Sequence, residues 1–313
     1  MEKDCKIYVS GHKGLVGSAI VRALRNRSYN NIIGKTHKEL DLTNQALVDE
    51  FFRAEKPEYV FLAAAKVGGI AANASYPADF IMENELIQCN IIKSSWENGV
   101  KKLMFFGSSC MYPRICPQPV KEEYLLTGPV EPTNEAYALA KISGVKMCQF
   151  FNTQYGTRYI CVIPSNLYGL YDNFDPSGSH VIPGLIRKMH SAKTKNEAVV
   201  EIWGTGSPIR DFLFVDDMVD ACLFLMQTYE GNEPINIGTG KCVSIKELAE
   251  LIREVTGYTG ELHFDAEKPD GTPMRVLDVS RLAKAGWKFK VDLEEGLRLT
   301  YEFYKGIGHS DSF

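Results

Sequence analysis

Lys6-Ile7-Tyr8-Val9-Ser10 runs directly into Gly11-His12-Lys13-Gly14-Leu15-Val16-Gly17. The stretch reads as a short apolar strand, a glycine turn and the opening of a helix. Gly11 permits the tight turn, Gly14 lets a pyrophosphate approach the backbone, and Gly17 lets helix and strand pack closely. Phosphates then rest on the helix N-terminus and its partial positive charge. The spacing is G-x-x-G-x-x-G, not the commoner G-x-G-x-x-G, and three glycines alone would fit any glycine-rich corner. Their place after the first strand of an alternating series points to a dinucleotide site.

That series continues outward from the turn. Helices are predicted over Ser18–Asn26, Ala46–Ala54, Asp79–Glu97 and Asn134–Tyr155. Strands are predicted over Asn31–Gly34, Tyr59–Ala63, Lys102–Phe106 and Tyr159–Pro164. Such alternation means βαβ crossovers, hence an α/β fold with a Rossmann-type, doubly wound parallel sheet. Residues 1–165 are expected to form the nucleotide-binding domain. Residues 166–313 are expected to form mainly a smaller α/β substrate-binding domain, with segments around 208–240 returning to the first. Pro164, Pro176, Pro183, Pro208, Pro234, Pro269 and Pro273 punctuate this second half, where helices are predicted near Asp217–Gln227 and Ser244–Thr256.

Composition removes several classes. The 313 residues are 45% hydrophobic and 24% charged, ordinary for a globular chain. A net charge of −4 argues against nucleic-acid binding, which needs a basic excess. The longest hydrophobic run, Tyr59–Ala65, is far shorter than the ~18–20 residues of a membrane span. The 8 Cys are scattered without C-x-x-C spacing, so no metal site is expected. Met1-Glu2-Lys3-Asp4 carries no legible signal peptide, and a cytoplasmic location with reduced thiols is the expectation.

A ribose-binding acid is expected at the end of the second strand of an NAD site. Here Gly34-Lys35-Thr36-His37-Lys38 intervenes before Glu39, and Lys13, Lys35 and Lys38 could meet a 2′-phosphate instead, which favours NADP(H). Tyr137 and Lys141 stand four apart on one face of the long helix. A phenol is a poor acid–base group at neutral pH; a nearby cation lowers its pKa while desolvation opposes the shift, and the ammonium can sit near the phenol or near a bound ribose. Gly107-Ser108-Ser109-Cys110 ends the Lys102–Phe106 strand, where ligands of open parallel sheets bind.

The glycine turn, the strand-end serines and Tyr137/Lys141 together resemble the extended short-chain dehydrogenase/reductase superfamily. Within it, Ala63–Ile70, Tyr76–Phe80, Pro132–Glu135, Asn166–Gly169, Ser179–Pro183 and Lys268–Pro273 resemble the GDP-L-fucose synthase family. That resemblance implies a homodimer that uses NADPH to epimerise GDP-4-keto-6-deoxy-D-mannose at C3 and C5 and to reduce it at C4. It implies Cys110 as base and His180 as partner acid, with Ser108 and Tyr137 on the C4 oxygen and Lys141 beside them. It implies cofactor contacts from Gly11, His12, Lys13, Gly14, Leu15, Val16 and Gly17, and from Lys35, His37, Lys38, Asp41 and Leu42. Phe106, Gly107, Ser108, Ser109, Lys141, Pro164, Ser165, Asn166, Leu167 and His180 complete that set. Substrate contacts are implied for Lys188, Trp203, Arg210 and Asp270.

The chain departs from the family where Lys13 and His37 replace arginines, and where Ala136 and Ser165 replace Pro and Thr. Rival readings are an NAD-retaining 4-epimerase, a 4,6-dehydratase, or a catalytically silent nucleotide-binding scaffold. A dehydratase would carry an acidic pair where Ser109-Cys110-Met111 stands, a 4-epimerase has no use for Cys110/His180, and a scaffold would lack Tyr137 or Lys141.

Overall fold

The computed structural model describes residues 1–176, 178–268 and 270–307; Pro269 of the Lys268–Pro273 stretch and the end of the 166–313 segment lie outside the described residues. The chain begins β1 (Ile7–Ser10), α1 (Leu15–Asn26), β2 (Ile32–Ile33), α2 (Gln45–Glu55), β3 (Tyr59–Leu62) and α3 (Ile70–Ser75). It continues through α4 (Pro77–Glu97), β4 (Lys102–Phe106), α5 (Glu135–Tyr155) and β5 (Tyr159–Pro164). Next come β6 (Asn166–Tyr168), α6 (Val181–Lys195), β7 (Val199–Trp203), β8 (Ile209–Arg210), β9 (Phe212–Phe214), α7 (Val215–Thr228) and β10 (Ile235–Ile237). The last elements are β11 (Val243–Ser244), α8 (Ile245–Thr256), β12 (Glu261–Asp265), β13 (Met274–Arg275), α9 (Ser280–Lys284) and α10 (Leu293–Gly306).

A six-stranded sheet of order β10-β5-β4-β3-β1-β2 forms the centre, and every pairing in it is parallel. Both faces are covered, as parallel sheets require. Ile7, Val9, Phe61, Met104 and Val162 pack against Ile20 of α1 and Leu225 of α7. Tyr8, Val60, Leu62, Phe105 and Ile163 pack against Phe52 of α2, Ile91 of α4 and Val145 of α5. A third core joins Tyr168, Ile186, Ile202, Phe214, Ile252 and Tyr301, away from the sheet. Small sheets β11-β8-β13, β12-β7 and β6-β9 frame it. Among the described residues no helix is long and apolar enough to cross a membrane.

The structure corrects several expected elements. The predicted strand over Asn31–Gly34 is only Ile32–Ile33, an edge strand bonded to β1 alone. The predicted helix at Ser18–Asn26 begins at Leu15, because extended Gly14 serves as its N-cap. Helix α6 was not predicted across Pro183. That proline lies in the first turn, where a missing N–H costs no intrahelical bond. Helix α10, capped by Asp292 accepting from Glu295 N, was also not foreseen.

Candidate active site

The glycine turn builds a cradle at the carboxyl end of β1. Gly11 holds a φ of +70°, and a Cβ there would lie 2.9 Å from Ala64 Cα. A Cβ on Gly17 would sit 2.1 Å from Gly11 O, so α1 and the turn could not close around any larger residue. Gly14 caps α1 without a side-chain bond, which leaves first-turn N–H groups for an anion. Leu15 and Val16 open the helix, and both pack against the sheet core.

Lys13 in the glycine turn and Lys35 and Lys38 beyond β2 make no ion pair with a described residue. Glu39, the nearest acid, accepts from Thr36 N at 2.8 Å and Thr36 Oγ1 at 2.6 Å. Those bonds, the side-chain one foremost, lower its pKa and occupy the carboxylate. His37 Nδ1 lies 3.9 Å from Asp41, whose carboxylate also takes the Thr43 N–H and hydroxyl. The Leu42 carbonyl accepts from Asn90. The His12 ring lies against Gly34 with its Nδ1 buried and unpartnered. A close-approach glycine cradle, an uncapped helix and three unpaired lysines fit a dinucleotide with a 2′-phosphate.

Phe106 to Ser109 and Pro164 to Leu167 line adjacent strand ends of the same sheet. Gly107 N donates to Val162 O, and Ser165 N to Ile237 O, both at 2.8 Å. Asn166 Nδ2 donates to Asp211 O, and Ser165 Oγ is buried without a partner. Ser108 begins a short turn of 3-10 helix over Ser109–Met111, and its Oγ accepts from Cys110 N at 3.3 Å. The same hydroxyl also lies in hydrogen-bonding reach of the Tyr137 phenol. Ser109 is buried; Cys110 is half-buried.

Helix α5 brings Tyr137 and Lys141 to this strand end. Lys141 is 4% exposed, and its Nζ donates to Phe106 O at 2.9 Å. Burial pushes its pKa down to about 8. The Tyr137 pKa is not lowered as the i,i+4 spacing suggested. Burial raises it, Cys110 raises it further, and only the hydrogen bond with Ser108 opposes. The reason is geometric: the Lys141 ammonium is committed to a backbone carbonyl and lies 5.8 Å from the phenol ring centroid. Tyr137 is thereby kept as a proton-bearing phenol.

The second half contributes charge. Arg210 and Arg275 are register partners on β8 and β13, and each lies within electrostatic reach of the other. Arg210 also lies within electrostatic reach of Cys110 and of Asp270; burial, then Arg275, lowers its pKa. Its Nη1 donates to its neighbour's Ile209 O. Asp270 is engaged locally, accepting from Thr205 N and Thr205 Oγ1, each at 2.8 Å. Trp203 is 58% exposed, with Lys268 Nζ 5.7 Å from its ring centroid. Lys188 Nζ donates to Glu201 O at 3.0 Å, and burial lowers its pKa. His180 is the N-cap of α6: its carbonyl accepts from Gly184 N at 3.0 Å, and its ring makes no capping bond. Its surroundings desolvate the ring and lower its pKa, an effect moderated by its open, solvent-exposed face.

Ser108, Cys110, Tyr137, Lys141 and Arg210 thus converge. Lys188 on α6, Trp203 at the end of β7 and Asp270 in the loop before β13 border that cluster from the second half, Asp270 within electrostatic reach of Arg210. Sequence reasoning missed Asn134 and Arg275. Asn134 Nδ2 donates to Cys110 Sγ at 3.1 Å, yet an Asn before a helix reads as an ordinary cap. Arg275 is buried on a two-residue strand, and only strand register would have paired it with Arg210.

The NAD dependent epimerase/dehydratase family matches residues 7–238. A putative GDP-L-fucose synthase 2 of Arabidopsis thaliana is 57% identical over 304 residues, covering 97% of this chain and 93% of its own. A solved GDP-6-OMe-4-keto-L-xylo-heptose reductase from C. jejuni superposes with a TM-score of 0.95 at 42% identity, covering 98% of this chain and 99% of its own. An NADP-bound GDP-L-fucose synthetase from Naegleria fowleri superposes with a TM-score of 0.91 at 28% identity, covering 98% of this chain and 94% of its own. The chain belongs to the NAD dependent epimerase/dehydratase family, in the GDP-L-fucose synthase branch of the extended short-chain dehydrogenase/reductase superfamily.

Proposed function

We propose that this enzyme converts GDP-4-keto-6-deoxy-D-mannose to GDP-L-fucose by 3,5-epimerisation followed by NADPH-dependent 4-reduction. The observation that carries the reading is the meeting of Cys110 with Ser108, Tyr137 and Lys141 at one strand end. A thiol serves epimerisation, and the phenol and ammonium serve reduction. NADPH bound on the glycine turn, its 2′-phosphate among Lys13, Lys35 and Lys38, supplies the hydride.

Epimerisation beside a ketone needs a base on one face, an acid on the other, and donors on the enolate oxygen between the two steps. Cys110 takes the α-proton and His180 returns one. A lowered pKa makes the His180 imidazolium a stronger but scarcer donor. Ser108 donates its hydroxyl proton to the C4 oxygen, beside the Tyr137 phenol. During reduction Tyr137 protonates that oxygen, which its raised pKa suits because it stays protonated until the oxygen turns basic. Arg210 grips the diphosphate, assisted by Lys188, while Trp203 and Asp270 border the nucleotide sugar. Residues 1–165, joined by β10, serve the cofactor, and the third core serves the substrate.

Supplied with NADPH and the 4-keto sugar, the protein is expected to oxidise one NADPH per sugar. Folded protein that oxidises none overturns the reading. Lys141 sets the pH limb: its ammonium, present below about 8 and held on Phe106 O, adds positive charge to the cleft where the C4 oxyanion develops. The reduction step is therefore expected to weaken as pH rises through about 8. A single-turnover rate flat across that range removes the ammonium from the step.

Met82 and Leu86 on α4, with Leu139 and Phe150 on the adjoining α5, are exposed apolar side chains. This two-helix face is read as the seat of a second copy, giving a homodimer. Light scattering should return twice the chain mass; a monomer at micromolar concentration contradicts it. The proposed location is the cytoplasm, in keeping with eight free cysteines, and cell fractionation tests it.

A further inference from the structure

Asn134 occupies the N-cap of α5, the helix that carries Tyr137 and Lys141. Asparagine is favoured at such positions because its Oδ1 accepts a first-turn N–H. Here the side chain makes no capping bond, and Oδ1 is buried without a partner. Both features disfavour this arrangement. The one polar bond the side chain gains among the described residues is Nδ2–H to Cys110 Sγ, at 3.1 Å.

An amide N–H beside sulfur favours the thiolate over the thiol, because a donor bonds more strongly to an ionised acceptor. It also fixes the direction of the sulfur. Asn134 stands three residues before Tyr137, at the start of the same helix. One turn of α5 therefore references both the thiol and the phenol to the same backbone. The other groups facing Cys110 are Tyr137 from α5 and Arg210 from β8, with Arg275 of β13 behind Arg210. Among the described residues only Asn134 donates to the sulfur.

We propose that Asn134 is a positioning residue for epimerisation: its Nδ2–H holds the Cys110 thiolate, favours its ionised form and aims it at the sugar carbon. This rests on Cys110 being the base in the function proposed above.

The test uses Asn134→Ser and Asn134→Asp in the full chain. Serine is a strong N-cap that lacks the N–H donor, so it satisfies any purely structural need of α5. Aspartate keeps the shape and sets a carboxylate beside the sulfur. Iodoacetamide labelling of the Cys110 peptide, followed by mass spectrometry across pH, reads the thiol directly. The labelling midpoint is expected to rise by about one pH unit in Asn134→Ser and further in Asn134→Asp. Deuterium exchange at C3 and C5 without NADPH, at neutral pH, should fall about tenfold in step with the lost thiolate. Midpoints unchanged in both folded variants overturn the proposal. If they rise while Cys110→Ser still exchanges at the parent rate, the N–H···S bond stands and the base assignment falls.

Discussion

Cys110→Ser is expected to cut deuterium exchange at C3 and C5 by about 10²–10⁴-fold, the range that a positioned base contributes, while NADPH affinity stays within about twofold. The asymmetry follows from geometry. Cys110 belongs to the short turn after β4, whereas the phosphate cradle is built from Gly11, Gly17 and the start of α1. A serine in place of the thiol can still accept from Asn134 Nδ2, so the turn keeps its polar partner. What disappears is the more acidic group, since a thiol ionises far more readily than a hydroxyl. Formation of GDP-L-fucose should fall with exchange, because reduction of the epimerised ketone comes second. Exchange at the parent rate in folded Cys110→Ser would assign the base elsewhere.

Tyr137→Phe should give the reverse pattern. Reduction is expected to fall about 10²–10⁴-fold and exchange only about tenfold, as loss of the proton donor outweighs loss of one oxyanion donor. Tyr137 packs edge-on against Phe80, with centroids 6.5 Å apart, and that contact survives in the variant. Ser108 retains its bond to Cys110 N and can still serve the enolate oxygen alone. Single-turnover NADPH oxidation set against deuterium exchange separates the two steps. Equal losses in both would mean that Tyr137 acts before the pathway divides. Reduction at the parent rate would remove it as the acid.

These outcomes rest on features of unequal legibility. The glycine turn was readable because its chemistry is local: three glycines between a strand and a helix say what the backbone must do. The alternation that follows was readable because each strand buries both faces and each helix only one. The third core was harder. Its strands are two to five residues long, and Pro183 reads as a breaker until its first-turn position in α6 is known.

At the site, the i,i+4 spacing correctly put Tyr137 and Lys141 on one helix but misjudged their electrostatics. Spacing does not reveal that the ammonium is spent on Phe106 O, and burial then dominates the phenol. Asn134 and Arg275 escaped because their partners, Cys110 and Arg210, are remote in sequence. Asp270 was expected at the substrate, and its carboxylate also anchors Thr205 in the loop after Trp203.

The central claim is that one cleft performs both proton exchange and reduction. It is tested most directly by running the wild-type reaction in D2O with NADPH and GDP-4-keto-6-deoxy-D-mannose, then locating deuterium in the product. The account predicts GDP-L-fucose carrying deuterium at both C3 and C5, with one NADPH oxidised per sugar. NADPH oxidation yielding an unepimerised 4-hydroxy sugar without deuterium would contradict it.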